Sequence, residues 1–171
     1  MAKKSWIVLA ICVALAGFLV MAYFVSQPGP ETLTQTQTVQ MLDEMKAAVA
    51  RKDVNTIMAH IAPTGEAHIA GVNPDQLRLM LIRGFRSTGK LRAEYSNVAF
   101  HPHGDEATVE FDLVVYQQTA DMLAEAYPKS HVTLQLRRVE VPRLWGLFQG
   151  HEWRIVGADT DGPNLSNFGE Y

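Results

Sequence analysis

A single cysteine, Cys12, stands in 171 residues, so no disulfide can form within the chain. Nor does Cys12 suit lipid attachment, because Ile11 precedes it where lipoprotein processing needs a small residue. Positive charge is also in short supply. Lysine and arginine number 15 against 18 aspartates and glutamates, and the net charge is −3. A nucleic-acid role therefore has no electrostatic support. Basic residues concentrate only at Arg137-Arg138 and at the group Arg83, Arg86, Lys90 and Arg92, which read as solvated faces. There is no Walker loop, no dinucleotide fingerprint and no serine nucleophile elbow. No internal repeat or low-complexity array interrupts the chain, whose 47% hydrophobic content is that of a folded domain with a core.

Hydrophobic residues open the chain. After Lys3 and Lys4, the stretch from Trp6 to Val25 carries no charge. Twenty helical residues cover the ~30 Å hydrocarbon core of a bilayer. Trp6 and Tyr23 fall where the two interfaces would be, and Pro28 and Pro30 end the helix. A cleaved signal peptide is the rival, with Ala14-Leu15-Ala16 as the mimic of a cleavage site. Cleavage there would leave Gly17 to Val25 as an exposed apolar terminus, so an uncleaved anchor is expected over 5–26. The lysine pair then places residues 1–4 in the cytoplasm. The rest of the chain falls across the inner (cytoplasmic) membrane, in the periplasm of a Gram-negative cell. Residues 27–37 read as a tether, 38–160 as the folded domain and 161–171 as an extended tail.

Within the domain the apolar period is first helical and then that of strands. Val39, Leu42, Met45 and Val49 form one helix face. Asp53 caps a second helix bearing Val54, Ile57, Met58 and Ile61, with Pro63 ending it. Asn73, Pro74 and Gln76 spell a capped helix start, with Leu77, Met80, Leu81 and Phe85 inward and Gly89 as terminator. After Lys90 the period becomes two, in "LRAEYSNVAFH", "EATVEFDLVVYQ", "HVTLQLRRVEV" and "EWRIVGAD". Thr119 to Ser130 reads as a long connection of helical character. The order predicts an α+β fold, with helices packed on one face of an antiparallel sheet.

Gly104-Asp105, Ala107 and Trp153-Arg154-Ile155, in this order of elements, resemble the nuclear transport factor 2-like superfamily over roughly residues 35–160. The resemblance implies a cystatin-like α+β roll, in which a strongly bent sheet wraps the helices into a cone. That superfamily includes isomerases, dehydratases, transport adaptors and many non-catalytic domains, so it does not fix an activity.

"HPHGDE", His101 to Glu106, reads as a hairpin turn, with Pro102 ending one strand and Gly104-Asp105 making the bend. His60, Glu66 and His68 match no zinc spacing. Glu110, Asp112, Tyr95 and Tyr116 are the strand residues that a cone-type enzyme could use, but Glu110 and Asp112 share a polar face. No catalytic set, metal or cofactor is therefore assigned. The loop "VPRLWGLFQG" is apolar where hairpin loops are ordinarily polar, and Leu144, Trp145, Leu147 and Phe148 are the expected partner contacts. The reading is a membrane-anchored extracytoplasmic interaction domain, an accessory or assembly subunit of an integral-membrane or periplasmic complex. The alternatives are a small-molecule binding module using the cone and an isomerase- or dehydratase-like enzyme.

Overall fold

The computed structural model describes residues 31–63, 65–69, 71–119, 122–143 and 148–161. The expected anchor, with Trp6 and Tyr23, lies outside them. Among the described residues no helix is long and apolar enough to cross a membrane. The described residues divide into a larger unit, 32–139 with 153–161, and a smaller one built on 140–152.

Helix α1 spans Gln35–Arg51 and starts earlier than its apolar period suggests, because Thr34 and Gln37 form a capping box. Its buried face is Thr38, Met41, Leu42 and Ala48, while Val39, Met45 and Val49 are only half-buried. The buried stripe is rotated from the expected one, with Met41 and Leu42 its two large members. Thr38 is the one buried polar side chain among the described residues. Its hydroxyl donates to the Thr34 carbonyl at 3.0 Å, which satisfies it.

Asp53 caps α2, Val54–Ala59, accepting from the Thr56 amide at 3.2 Å and the Thr56 hydroxyl at 2.6 Å. His60 ends this helix before Pro63 is reached. Strand β1, His68–Ile69, follows where sequence periodicity predicts only loop. Helix α3, Pro74–Ser87, has the expected Asn73 cap, Pro74 start and Gln76 box. Its Leu77, Met80, Leu81 and Phe85 are half-exposed, and Pro74 alone is buried. Thr88, not Gly89, caps α3. Gly89 is needed for a different reason: a Cβ there would come within 2.7 Å of the Gln118 carbonyl oxygen on a neighbouring strand.

Four long strands follow among the described residues: β2 Lys90–His103, β3 Glu106–Thr119, β4 Met122–Arg143 and β5 Phe148–Thr160. The sheet order is β1-β5-β4-β3-β2. β2/β3 and β3/β4 are antiparallel, and β1 lies parallel to β5 with His68 opposite Gly157. The helical connection expected over Thr119 to Ser130 is instead strand, with rungs such as Gln117 opposite Ala124. Helix-forming residues become strand here because the long β3 supplies a template.

Pro102 does not end β2 either; it sits opposite Ala107 within the ladder. β2 is an edge strand, where proline is tolerated. The turn itself is as read, two residues with Gly104 at φ 67 between the His103/Glu106 rung. A left-handed first position is what a type II′ hairpin turn requires. Ala107, Val109, Phe111, Val132, Leu134, Leu136 and Ile155 are buried strand residues of the core, joined by Leu42 and Ile57 from the helices.

Candidate functional site

Three places in the fold bear on chemistry. The first is the polar face of the sheet. Between the Ser96/Asp112 and Ala99/Glu110 rungs, Asn97 and Val98 together face one residue of β3, a β-bulge. Asn97 adopts φ 58, a left-handed conformation that asparagine tolerates. Its Nδ2 donates to Asp112 Oδ2 at 2.7 Å. Lys129 Nζ lies 2.9 Å from the same oxygen, and His131 Nδ1 lies 3.2 Å from Oδ1. Because the carboxylate only accepts, Nδ1 must carry the proton. The bond from Lys129, then those from Asn97 and His131, hold the Asp112 carboxyl well below the usual carboxylate range. A carboxylate so stabilised is a weak base at neutral pH, the opposite of what proton abstraction needs.

The second place is the side of the sheet that faces α1. Tyr95 meets Phe111 edge-on, with ring centroids 6.2 Å apart, and donates its hydroxyl to Asp43 Oδ1 at 2.7 Å. Lys46 Nζ stands 5.8 Å from the Tyr95 ring centroid. Burial first, and then the bond to Asp43, push the phenol up to about 12. Tyr95 therefore stays protonated and its proton is already committed. An open groove beside it, lined by Asp43, Lys46, Ala47, Ala50, Arg92 and Ala93, holds about 220 Å³. Ligand pockets commonly run to ~300–1,000 Å³, so this groove is small.

The third place is the far end of β4. The last rung between β3 and β4 is Glu106/Arg137, beside the β2–β3 turn. The Arg138 amide still donates to the Asp105 carbonyl of that turn at 3.0 Å, and β4 runs on to Arg143 beyond its last β3 rung, with β5 its other neighbour in the sheet. At 3.3 Å per residue this end of the β4–β5 ribbon is about 20 Å long. The expected contact residues Leu144, Trp145 and Leu147 follow it, outside the described residues. Phe148 begins β5, and its side chain is likewise outside them. Within the ribbon Val141 is buried, and His151 Nε2 lies 3.7 Å from Glu140 Oε1.

The other histidines go to structural neighbours. His60 Nε2 is 3.3 Å from Glu44 Oε2, so it does not join Glu66 and His68. At the β2–β3 turn His103 Nδ1 is 3.1 Å from the His101 carbonyl, and Arg137 pairs with Glu106 at 2.9 Å. Among the described residues no three histidine, cysteine, aspartate or glutamate side chains converge on a metal position. Trp153-Arg154-Ile155 works in the frame. Arg154 Nη1 donates to the Ala59 carbonyl at the C-terminus of α2, and Ile155 bridges to Ile61. The Tyr95–Asp43 and Asp112–His131 pairs escape sequence reasoning, because each joins elements far apart in the chain.

No protein-family model matches the chain, and neither does any curated protein sequence. Solved structures do resemble it. A nuclear transport factor 2-like superfamily protein of Salmonella enterica has a TM-score of 0.59 at 15% identity, covering 80% of this chain and 95% of its own. A Nostoc punctiforme protein of unknown function with a cystatin-like fold has a TM-score of 0.56 at 19% identity, covering 77% and 94%. A nuclear transport factor 2-like protein of unknown function from Pseudomonas putida has a TM-score of 0.57 at 16% identity, covering 75% and 86%. The fold of this chain is that of the nuclear transport factor 2-like, cystatin-like α+β proteins.

Proposed function

We propose that the chain is a membrane-anchored extracytoplasmic interaction domain, a non-catalytic accessory or assembly subunit of a larger membrane complex. The β4–β5 ribbon carries this reading. It runs on past the last β3 rung and leads directly into the apolar loop of Leu144, Trp145, Leu147 and Phe148. Aromatic residues at the end of such a ribbon suit a desolvated contact with a partner protein. The uncharged run from Trp6 to Val25 supplies the anchor, and the lysine pair sets its direction. The ionisable groups support a non-catalytic role. Asp112 is fully engaged, and Tyr95 is held protonated.

Purification of the full chain in mild detergent tests the reading. A stoichiometric membrane or periplasmic partner is expected. Trp145→Ala with Phe148→Ala should reduce its recovery at least tenfold while thermal unfolding stays unchanged. Loss of the fold in that variant would make the loop part of the core and remove the basis for docking. Recovery of the chain alone would sink the subunit role.

One observation favours a second reading, a small-molecule binding module. The inner residues of α3, Leu77, Met80, Leu81 and Phe85, are only half-buried and leave apolar surface uncovered. Native mass spectrometry of the full chain decides this, since a retained small molecule of constant mass is what a binding module requires.

A further inference from the structure

The outward side of α3 has a composition that neither reading above uses. Leu79 is 53% exposed and is the one large hydrophobic in the exposed class among the described residues. At helical spacing it shares a face with Arg83 and Arg86, both exposed, and with the half-exposed Ile82. Lys90, also exposed, follows at the start of β2.

Charge pairing separates these residues from the arginines of the strands and the β2–β3 turn. Arg92 pairs with Glu94, Arg137 with Glu106 and Arg138 with Asp105. Arg83 and Arg86 have no carboxylate within reach among the described residues, although acidic residues outnumber basic ones in the chain. Favourable interaction with the helix C-terminus accounts for one arginine in the last turn, Arg86. It accounts neither for Arg83 nor for an exposed leucine one turn before it. Cations flanking apolar side chains on an exposed helix face are the composition of an element that lies on a lipid surface.

We infer that the outward face of α3, with Leu79, Ile82, Arg83 and Arg86, docks on the anionic headgroups of a lipid bilayer. Charge complementarity chooses the occupant, since two unpaired guanidinium groups fit phosphate and the two aliphatic side chains fit the boundary beneath it. Each arginine brought to an acidic bilayer surface raises occupancy about fivefold. Two of them give about thirtyfold, too little to hold a free chain and enough to orient one already tethered. The inference thus draws on the anchor proposed above for its strength, though not for its chemistry.

The test uses the full chain with Cys12→Ser and Ser87→Cys, the new thiol bearing an environment-sensitive dye. It is reconstituted in nanodiscs of phosphatidylcholine alone or of phosphatidylcholine with phosphatidylglycerol. In the anionic discs the dye should shift to the blue and be quenched by a lipid-borne nitroxide, and molar salt should reverse both. Arg83→Glu with Arg86→Glu should abolish the shift, whereas Arg83→Lys with Arg86→Lys should keep most of it. Identical signals in the two lipids, or persistence in the double glutamate variant, overturn the proposal. A chain that fails to enter nanodiscs refutes the anchor and not the surface. It is then tethered by an N-terminal hexahistidine to vesicles of the same two compositions, each with the same small fraction of nickel-chelating lipid. A salt-sensitive blue shift of the dye on the acidic vesicles alone upholds the surface, and an equal signal on both, or none, sinks it.

Discussion

Lys52 Nζ lies 2.7 Å from the carbonyl oxygen of Thr88, and 2.8 Å from that of Phe85. The residue that ends α1 thereby closes α3 as well. Lys52 takes a left-handed conformation, φ 58, with its own amide turned back to Ala48 and Val49. The ammonium meets two of the carbonyls that a helix end leaves without partners. Lys52→Met should lower stability by about 2 kcal/mol, since hydrogen bonds from a charged donor are worth roughly 1.5–3 kcal/mol. Lys52→Gly should cost less, because glycine removes the left-handed strain while losing the same bonds. Urea unfolding at constant slope measures both, and a methionine variant as stable as the parent would refute the capping role.

Asp112 should govern part of the acid sensitivity. Its folded carboxyl titrates below the unfolded one, mainly through Lys129, then Asn97 and His131. The folded state therefore binds fewer protons, and the stabilisation is complete above the unfolded value of about pH 4. It is lost as pH falls below that point. Asp112→Asn should flatten the acid limb of a stability-versus-pH curve. An unchanged limb would mean that the three partners do not hold the carboxylate in solution.

Tyr95 should act at the opposite extreme. Its phenol is pushed up to about 12 by burial and by the bond to Asp43. The unfolded chain loses its phenol proton first, so this contribution is complete below about pH 10 and declines as pH rises towards 12. Asp43→Asn should bring the phenolate absorbance transition part of the way down, because burial, the larger cause, remains. A full return to the ordinary tyrosine value would assign the whole shift to Asp43.

Elements with local signals were legible in the sequence. Asn73, Pro74 and Gln76 announce α3, and Gly104-Asp105 announces the β2–β3 turn. Alternation in "EATVEFDLVVYQ" correctly divides inward Val109 and Phe111 from outward Glu110 and Asp112. What escaped depends on partners distant in the chain. Residues 122–130 carry helix-forming side chains but are strand, because β3 offers them a ladder. β1 has two residues, too few for any period, and exists through its pairing with β5. Gly89 looks like a helix stop, yet its reason lies across the sheet at Gln118. Tyr95 was legible as a strand residue, but nothing near it in the sequence names Asp43 as its acceptor, 52 positions earlier.

Arg154 reaches the Ala59 carbonyl across 95 positions, and the Ile155 amide donates to the His60 carbonyl at 2.8 Å. During synthesis, α2 must wait with an unclosed end until β5 has emerged. Contacts of such long separation are slow to form, because the intervening chain must first be ordered. A nascent chain stalled before β5 would leave Ile61 without its bridge to Ile155, exposing apolar surface to aggregation. The arginine that looks like a family signature is thus also a completion signal, joining the last strand to one of the first helices made.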